Sequence, residues 1–124
     1  MIDVCDQEAI YEATVQVCLV AVQEGFPHLT IRDIIDPPHD WFDAALARQI
    51  VMHLIIREFS WPKRRVVAME ERSREAINRA LRTIDQRMRN DRFAGHYLDM
   101  AERAQTLLHG LIHGTSSIDY SEVA

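Results

Sequence analysis

The apolar residues of this chain recur three and four positions apart, and no stretch alternates as a half-buried strand would. Phe42, Leu46, Ile50 and Leu54, with Val51 and Ile55 beside them, mark one stripe. Ala76, Ile77, Ala80, Leu81, Ile84 and Met88 mark a second, and Phe93, Tyr97, Met100, Ala104, Leu107 and Leu108 a third. Such spacing puts the apolar groups on one side of a 3.6-residue helix, whereas a strand would throw them onto both faces. The N-terminal run, with Ile10, Tyr11, Thr14, Val15, Val17, Cys18 and Val22 favouring one side, reads the same way. The pattern predicts an all-α, compact domain of five to six helices.

Punctuation between the stripes sets the expected boundaries. The first helix is predicted from about Asp3 to Glu24, with Gly25 as a left-handed stop and Pro27 preventing continuation. Thr30 and Asp33 have the spacing of a capping box for a short second helix that ends before Asp36-Pro37-Pro38. The third is expected to open at Asp40, with Asp43 three residues on, and to reach about Phe59. Pro62 suits the first position of a short fourth helix ending near Met69. Ser73 can cap a fifth that reaches about Asn90, and Asn90-Asp91 precedes a sixth that reaches about His109. One domain over residues 1–113 follows, with a loose tail over 114–124 that is rich in small and polar residues.

With 124 residues, 48% of them hydrophobic, the chain can bury a core without covalent staples. Cys5 and Cys18 match neither a zinc pair nor a redox motif and read as small buried apolar groups. The acidic start gives no sign of a signal peptide, and Val15–Val22 is too short to span a bilayer. A cytoplasmic protein, associated with no membrane, is the expectation.

Charge is distributed unevenly. Residues 1–47 carry nine acids against Arg32 alone, whereas residues 57–92 carry eleven bases against six acids. Twelve of the 14 Lys and Arg residues fall between Arg48 and Arg92, in a chain of net charge -5. One concentrated basic segment on an otherwise acidic chain points to a local polyanion site.

That segment has the layout of a helix-turn-helix over about residues 61–89, a short helix and a longer one with the third helix packed across both. Arg74, Asn78 and Arg82 are spaced i, i+4, i+8 and are expected to form one exposed row. Arginine can read guanine, and asparagine adenine, in the major groove. Glu75 and Arg79 lie on the same side, and Lys63, Arg64, Arg65, Arg57 and Arg72 are placed to meet phosphates. Solvation and pairing with Glu70, Glu71, Glu75 and Asp85 is the competing account of the same face.

Arg48-Gln49-Ile50-Val51-Met52-His53-Leu54 resembles the R-Q-I-A-M-Y-L run of the C-terminal DNA-binding domain of DnaA, the bacterial chromosomal replication initiator. Val66-Val67-x-Met69 falls where that family has I-G-x-A, and Arg82-Thr83-Ile84 resembles its R-K-I. Residues Arg72 to Ala80 fall on its R-D-H-T-T-V-L-H-A signature. Phe26, Leu29, Ile31 and Asp33-Ile34-Ile35 match its first helices. The resemblance spans residues 10–108 and implies a DnaA C-terminal-domain-like or Trp-repressor-like fold that binds double-stranded DNA through the helix-turn-helix.

The departures from that pattern are specific. Ser73-Arg74-Glu75-Ala76 replaces D-H-T-T, and only Arg72 carries over directly as a DNA contact. The family's basic loop, which sends an arginine into the minor groove, is here the arginine-free Asp36-Pro37-Pro38-His39-Asp40-Trp41-Phe42-Asp43. No G-x-x-x-x-G-K-[ST] loop is present, so the initiator's ATPase is not expected. The expected function is DNA-binding regulation of transcription or replication. The alternative is a protein-protein adaptor that kept the fold and lost DNA, with a replication or transcription protein as partner.

His109 and His113 have metal-ligand spacing, but Gly110 and Gly114 interrupt them and no third ligand is suitably spaced. No nucleophile-elbow motif surrounds any serine, so neither an enzyme nor a cofactor or metal site is expected. Trp41 and Trp61 begin apolar-patterned helices and are expected to pack in the core. A homodimer built on the apolar Val15–Val22 region of the first helix is a further expectation.

Overall fold

A computed structural model describes residues 6–70 and 72–114. Six α-helices in the order α1 (Gln7–Gly25), α2 (Ile31–Ile35), α3 (Phe42–His53), α4 (Lys63–Glu70), α5 (Arg74–Arg87) and α6 (Asp91–His113) build an all-α fold with no strand among the described residues. Cys5, the predicted onset at Asp3 and residues 115–124 of the predicted tail lie outside the described residues.

Local chemistry sets most of the helix starts. Asp6 caps α1 by accepting from the amides of Glu8 and Ala9, both at 3.1 Å. Thr30 and Asp33 form the predicted capping box of α2. Ser73 caps α5 through Ala76 N–H at 3.0 Å, and Asn90 caps α6 through Phe93 N–H at 3.0 Å. Each side-chain oxygen satisfies an amide that the helix leaves without a partner. Asp40 does not cap α3. Trp41 occupies that position and makes no side-chain bond there, because the chain turns between Pro38 and Trp41 (N–H to O, 3.1 Å) before the helix begins.

Two glycines behave differently from expectation. Gly25 is the last residue of α1 and has no left-handed backbone. Its missing side chain makes room for α6: a Cβ there would lie 2.6 Å from Met100 Sδ and 3.0 Å from His96 Nε2. The contact is held by a 2.9 Å bond between His96 Nε2 and Gly25 O. Gly110 is accommodated within α6, which ends instead at Gly114, in the left-handed conformation with φ 72°.

α3 does not stop at His53. Leu54–Glu58 continues it as one π-helical turn, with Phe59 N–H reaching Leu54 O at 3.1 Å. Ser60, at φ 61°, then reverses the chain in a conformation that a side chain disfavours.

α1 and α6 run antiparallel: Arg103 pairs with Glu24 near one end, and Leu111 lies with Ala9 and Tyr11 near the other. Between them and α3 lies the core, which includes Val17, Cys18, Val22, Ile50, Val51, Leu54, Ile55, Tyr97 and Met100. α5 docks on α3 through Ile77, Ala80, Leu81 and Ile84, all buried. The stripe read from sequence is therefore real, except that Ala76 is exposed and Met88 only half-buried.

Burial also corrects the readings at the start of α3 and along α1. Phe42 is 63% exposed, with Arg87 stacked over its ring at 5.4 Å, so it does not belong to the core stripe. Trp41 is exposed too, whereas Trp61 packs against the core and meets Tyr11 edge-on at 5.1 Å. Val17, Cys18, Leu19, Ala21 and Val22 are consumed by the chain's own core. The region proposed for dimerisation therefore leaves only Val15 and Val20 half-buried beside the exposed Gln16. No helix among the described residues is long and apolar enough to cross a membrane.

Candidate nucleic-acid interface

Three residues separate α4 from α5, so a short helix is followed closely by a longer one. α4 is anchored by Val66, which is fully buried, and by Glu70, whose carboxylate accepts from Tyr11 Oη at 2.9 Å and faces Arg48 at 3.6 Å. α5 is fixed from the other side by its contact with α3.

With the core face of α5 set by Ile77, Ala80, Leu81 and Ile84, the helical period leaves Glu75, Arg79, Arg82 and Gln86 directly opposite. All four are exposed. Arg74 is exposed as well, at the first helical position after the Ser73 cap. Asn78 departs from the predicted row. It is half-buried, and its Oδ1 accepts from Lys63 Nζ at 3.0 Å. This bond draws the start of α4 against the flank of α5, so Lys63 joins the basic surface of the longer helix, whereas the exposed Arg64 lies towards Gln7 and Ser60.

The remaining predicted contacts divide by what they already touch. Arg64, Arg74 and Arg82 make no salt bridge among the described residues. Arg79 lies 3.8 Å from Glu75, an exposed pair one helical turn apart that holds neither side chain firmly. Arg72 reaches Ile35 O at 3.5 Å, at the limit of a hydrogen bond, beside the acidic Asp36–Asp43 loop. Arg65 is half-buried with its guanidinium over the Trp61 ring at 5.4 Å. Arg57 is committed to Asp85 at 3.2 Å. The last two are held by the fold and are less available to a ligand than sequence reasoning has them.

Behind Arg57 lies a polar network that sequence patterning missed. His53, 4% exposed, sits between Asp85 Oδ1 (2.6 Å from Nε2) and Tyr97 Oη (2.6 Å from Nδ1). A carboxylate can only accept, so Nε2 carries the proton and Tyr97 donates to Nδ1. Burial lowers the His53 pKa below its ordinary value, the Asp85 hydrogen bond opposing it, which favours the neutral ring. For Asp85, partial burial works against ionisation, but His53 and Arg57 outweigh it and hold the carboxyl below the usual range. Tyr97 is pushed up by burial and then by the charge of Glu58. The network locks the π-helical end of α3 to α5 and α6, and its tyrosine is too buried to act on a substrate.

A second feature not foreseen is the cleft between α3, α5 and the loop at Pro37, with a volume of about 200 Å3. Arg48, Gln49, Arg72 and Arg79 supply its polar lining. The Arg48 side chain is 14% exposed, and its Nε is buried with no hydrogen-bond partner. An unpaired buried donor costs on the order of 1–3 kcal/mol. Burial, followed by the nearby charge of Arg72, lowers the Arg48 pKa, and Glu70 acts against both.

His109 and His113 stack with ring centroids 4.2 Å apart, and no group of three metal-ligating residues occurs among the described residues. Comparison of the chain with protein-family models, with curated proteins and with solved structures finds no match.

Proposed function

We propose that this protein binds duplex DNA through α4, the turn and α5, and acts without catalysis as a regulator of transcription or replication. The observation that carries the reading is the Lys63–Asn78 bond, which unites the basic start of α4 with the arginine-bearing outer face of α5. Arg74, Arg79 and Arg82 then offer donors to base edges or phosphates, and Lys63, Arg64 and Arg72 offer charge to the backbone on either side. The resemblance of residues 10–108 to the DnaA C-terminal domain supports the same motif. The acidic loop beside Arg72 argues against the site that family reads, since Asp36 and Asp40 would repel a phosphate backbone.

Selection of random duplexes by the purified protein at two salt concentrations tests the proposal. Enrichment of a short motif, with affinity falling steeply in salt, supports a sequence-reading regulator. Recovery at background level removes DNA from the account.

The exposed corner between α2 and α3 favours a second reading. Ile35, Trp41 and Phe42 are exposed there, among the acids Asp36, Asp40 and Asp43. An apolar patch with an acidic rim suits a basic, amphipathic protein segment. As an adaptor, the chain would show no salt-dependent duplex binding and would lose its protein partner on replacement of residues 36–43.

A further inference from the structure

We propose that the cleft between α3 and α5 is a binding site for a small organic anion, a carboxylate carried on a compact apolar body. Its polar lining is donor-rich: Arg48, Arg72 and Arg79 carry only donors, and the Gln49 amide adds two more beside its carbonyl. Among the described residues, the acids paired with these guanidiniums are Glu70, at 3.6 Å from Arg48 and also accepting from Tyr11, and the largely exposed Glu75, at 3.8 Å from Arg79; Asp36, in the loop beside Arg72, makes no salt bridge with it. Neither carboxylate forms a salt bridge with Arg72. The guanidinium fork is the side chain best matched to a carboxylate or phosphate.

The rest of the lining selects what the anion is attached to. Met52 and Ile77 form an apolar floor that a bare inorganic ion would leave unused. A volume of about 200 Å3 suits a single substituted ring, given that an apolar cavity of about 150 Å3 accepts benzene. The phosphate of a duplex is a poorer occupant, because its backbone cannot follow it into a site floored by the α3–α5 contact.

The proposed site stands independently of DNA binding. One consequence rests on the DNA reading: a ligand held by Arg72 and Arg79 withdraws both from the duplex and must weaken its binding, by the same factor with which DNA weakens the ligand.

The test uses the full chain and sodium benzoate, with inorganic phosphate as the comparison, and follows arginine Nε–H resonances together with titration calorimetry. Benzoate is expected to shift the Arg48, Arg72 and Arg79 signals saturably and to leave Arg89 in place. Arg79→Gln, at an exposed position that does not threaten folding, should weaken benzoate at least about tenfold, and Arg89→Gln should leave it unchanged. Phosphate should bind at least about tenfold more weakly than benzoate. Proportional shifts at every arginine, insensitive to Arg79→Gln, would show only general salt effects and overturn the proposal. Phosphate binding as tight as benzoate would overturn it too, by making the cleft a seat for a bare oxyanion. No duplex enters this measurement, so loss of the DNA reading and loss of the anion site are seen separately.

Discussion

Lys63 Nζ donates to Asn78 Oδ1 at 3.0 Å, and the one bond joins a residue from the first turn of α4 to the second turn of α5. It redefines the exposed face of the longer helix, because an amide already engaged by a lysine is less free to read adenine. On the proposed reading, Arg74, Arg79 and Arg82 carry the groups offered to bases, and Asn78 links the two helices.

On the proposed DNA reading, base contacts fall to the arginines. Arg74→Ala is expected to weaken a selected DNA site by roughly 1–3 kcal/mol and to relax base choice. Equal losses on selected and random duplexes would assign Arg74 to the backbone alone. If about five phosphates are neutralised, log affinity should fall against log salt with a slope near about -4.5, and Arg64→Ala should reduce that slope by about one phosphate's share.

The buried His53 makes stability depend on pH in a defined direction. Its folded pKa lies below the ordinary value of 6.5, so the unfolded chain takes up the proton more readily than the native one. Its contribution is complete above pH 6.5 and is lost as pH falls through the folded value. Asp85, also lowered, contributes above its ordinary value of 3.8 and loses that contribution only as pH falls further. Denaturant unfolding of the wild type should show stability falling as pH drops below 6.5, and His53→Gln should flatten that slope. A slope unchanged by His53→Gln would assign the acid sensitivity to other groups.

At Gly25 the close approach of α6 leaves no room for a methyl group. Gly25→Ala should destabilise the fold by about 1–3 kcal/mol, as overpacking in a filled interior does, despite alanine's better helix propensity. In a double-mutant cycle, Gly25→Ala should cost less in a Met100→Ala background than in the wild type if the sulfur contact is the cause. A neutral or stabilising Gly25→Ala would show that Met100 and His96 move aside at little cost.

Legibility in the sequence followed the range of the interaction. The period of Ile77, Ala80, Leu81 and Ile84, the Thr30–Asp33 box and the Ser73 and Asn90 caps are encoded within a few residues of one another. Repeating apolar spacing and short-range hydrogen bonding act on one helix at a time, so the sequence alone determined that this chain is helical, where most helices begin, and which face of α5 is buried.

Other features depend on partners tens of residues away. Phe42 belongs to an apolar stripe by spacing, but the end of α3 projects past the core and the ring lies under Arg87. Gly25 is spaced like a helix stop, but its role is set by Met100, 75 positions on. His53, Tyr97 and Asp85 carry no shared motif, and Arg48, Arg72 and Arg79 converge on one cleft only because α3 and α5 cross beside the Pro37 loop. Tertiary structure alone decided which arginines are held by the fold and which make no ion pair among the described residues, because packing brings distant charges together and removes water from some of them.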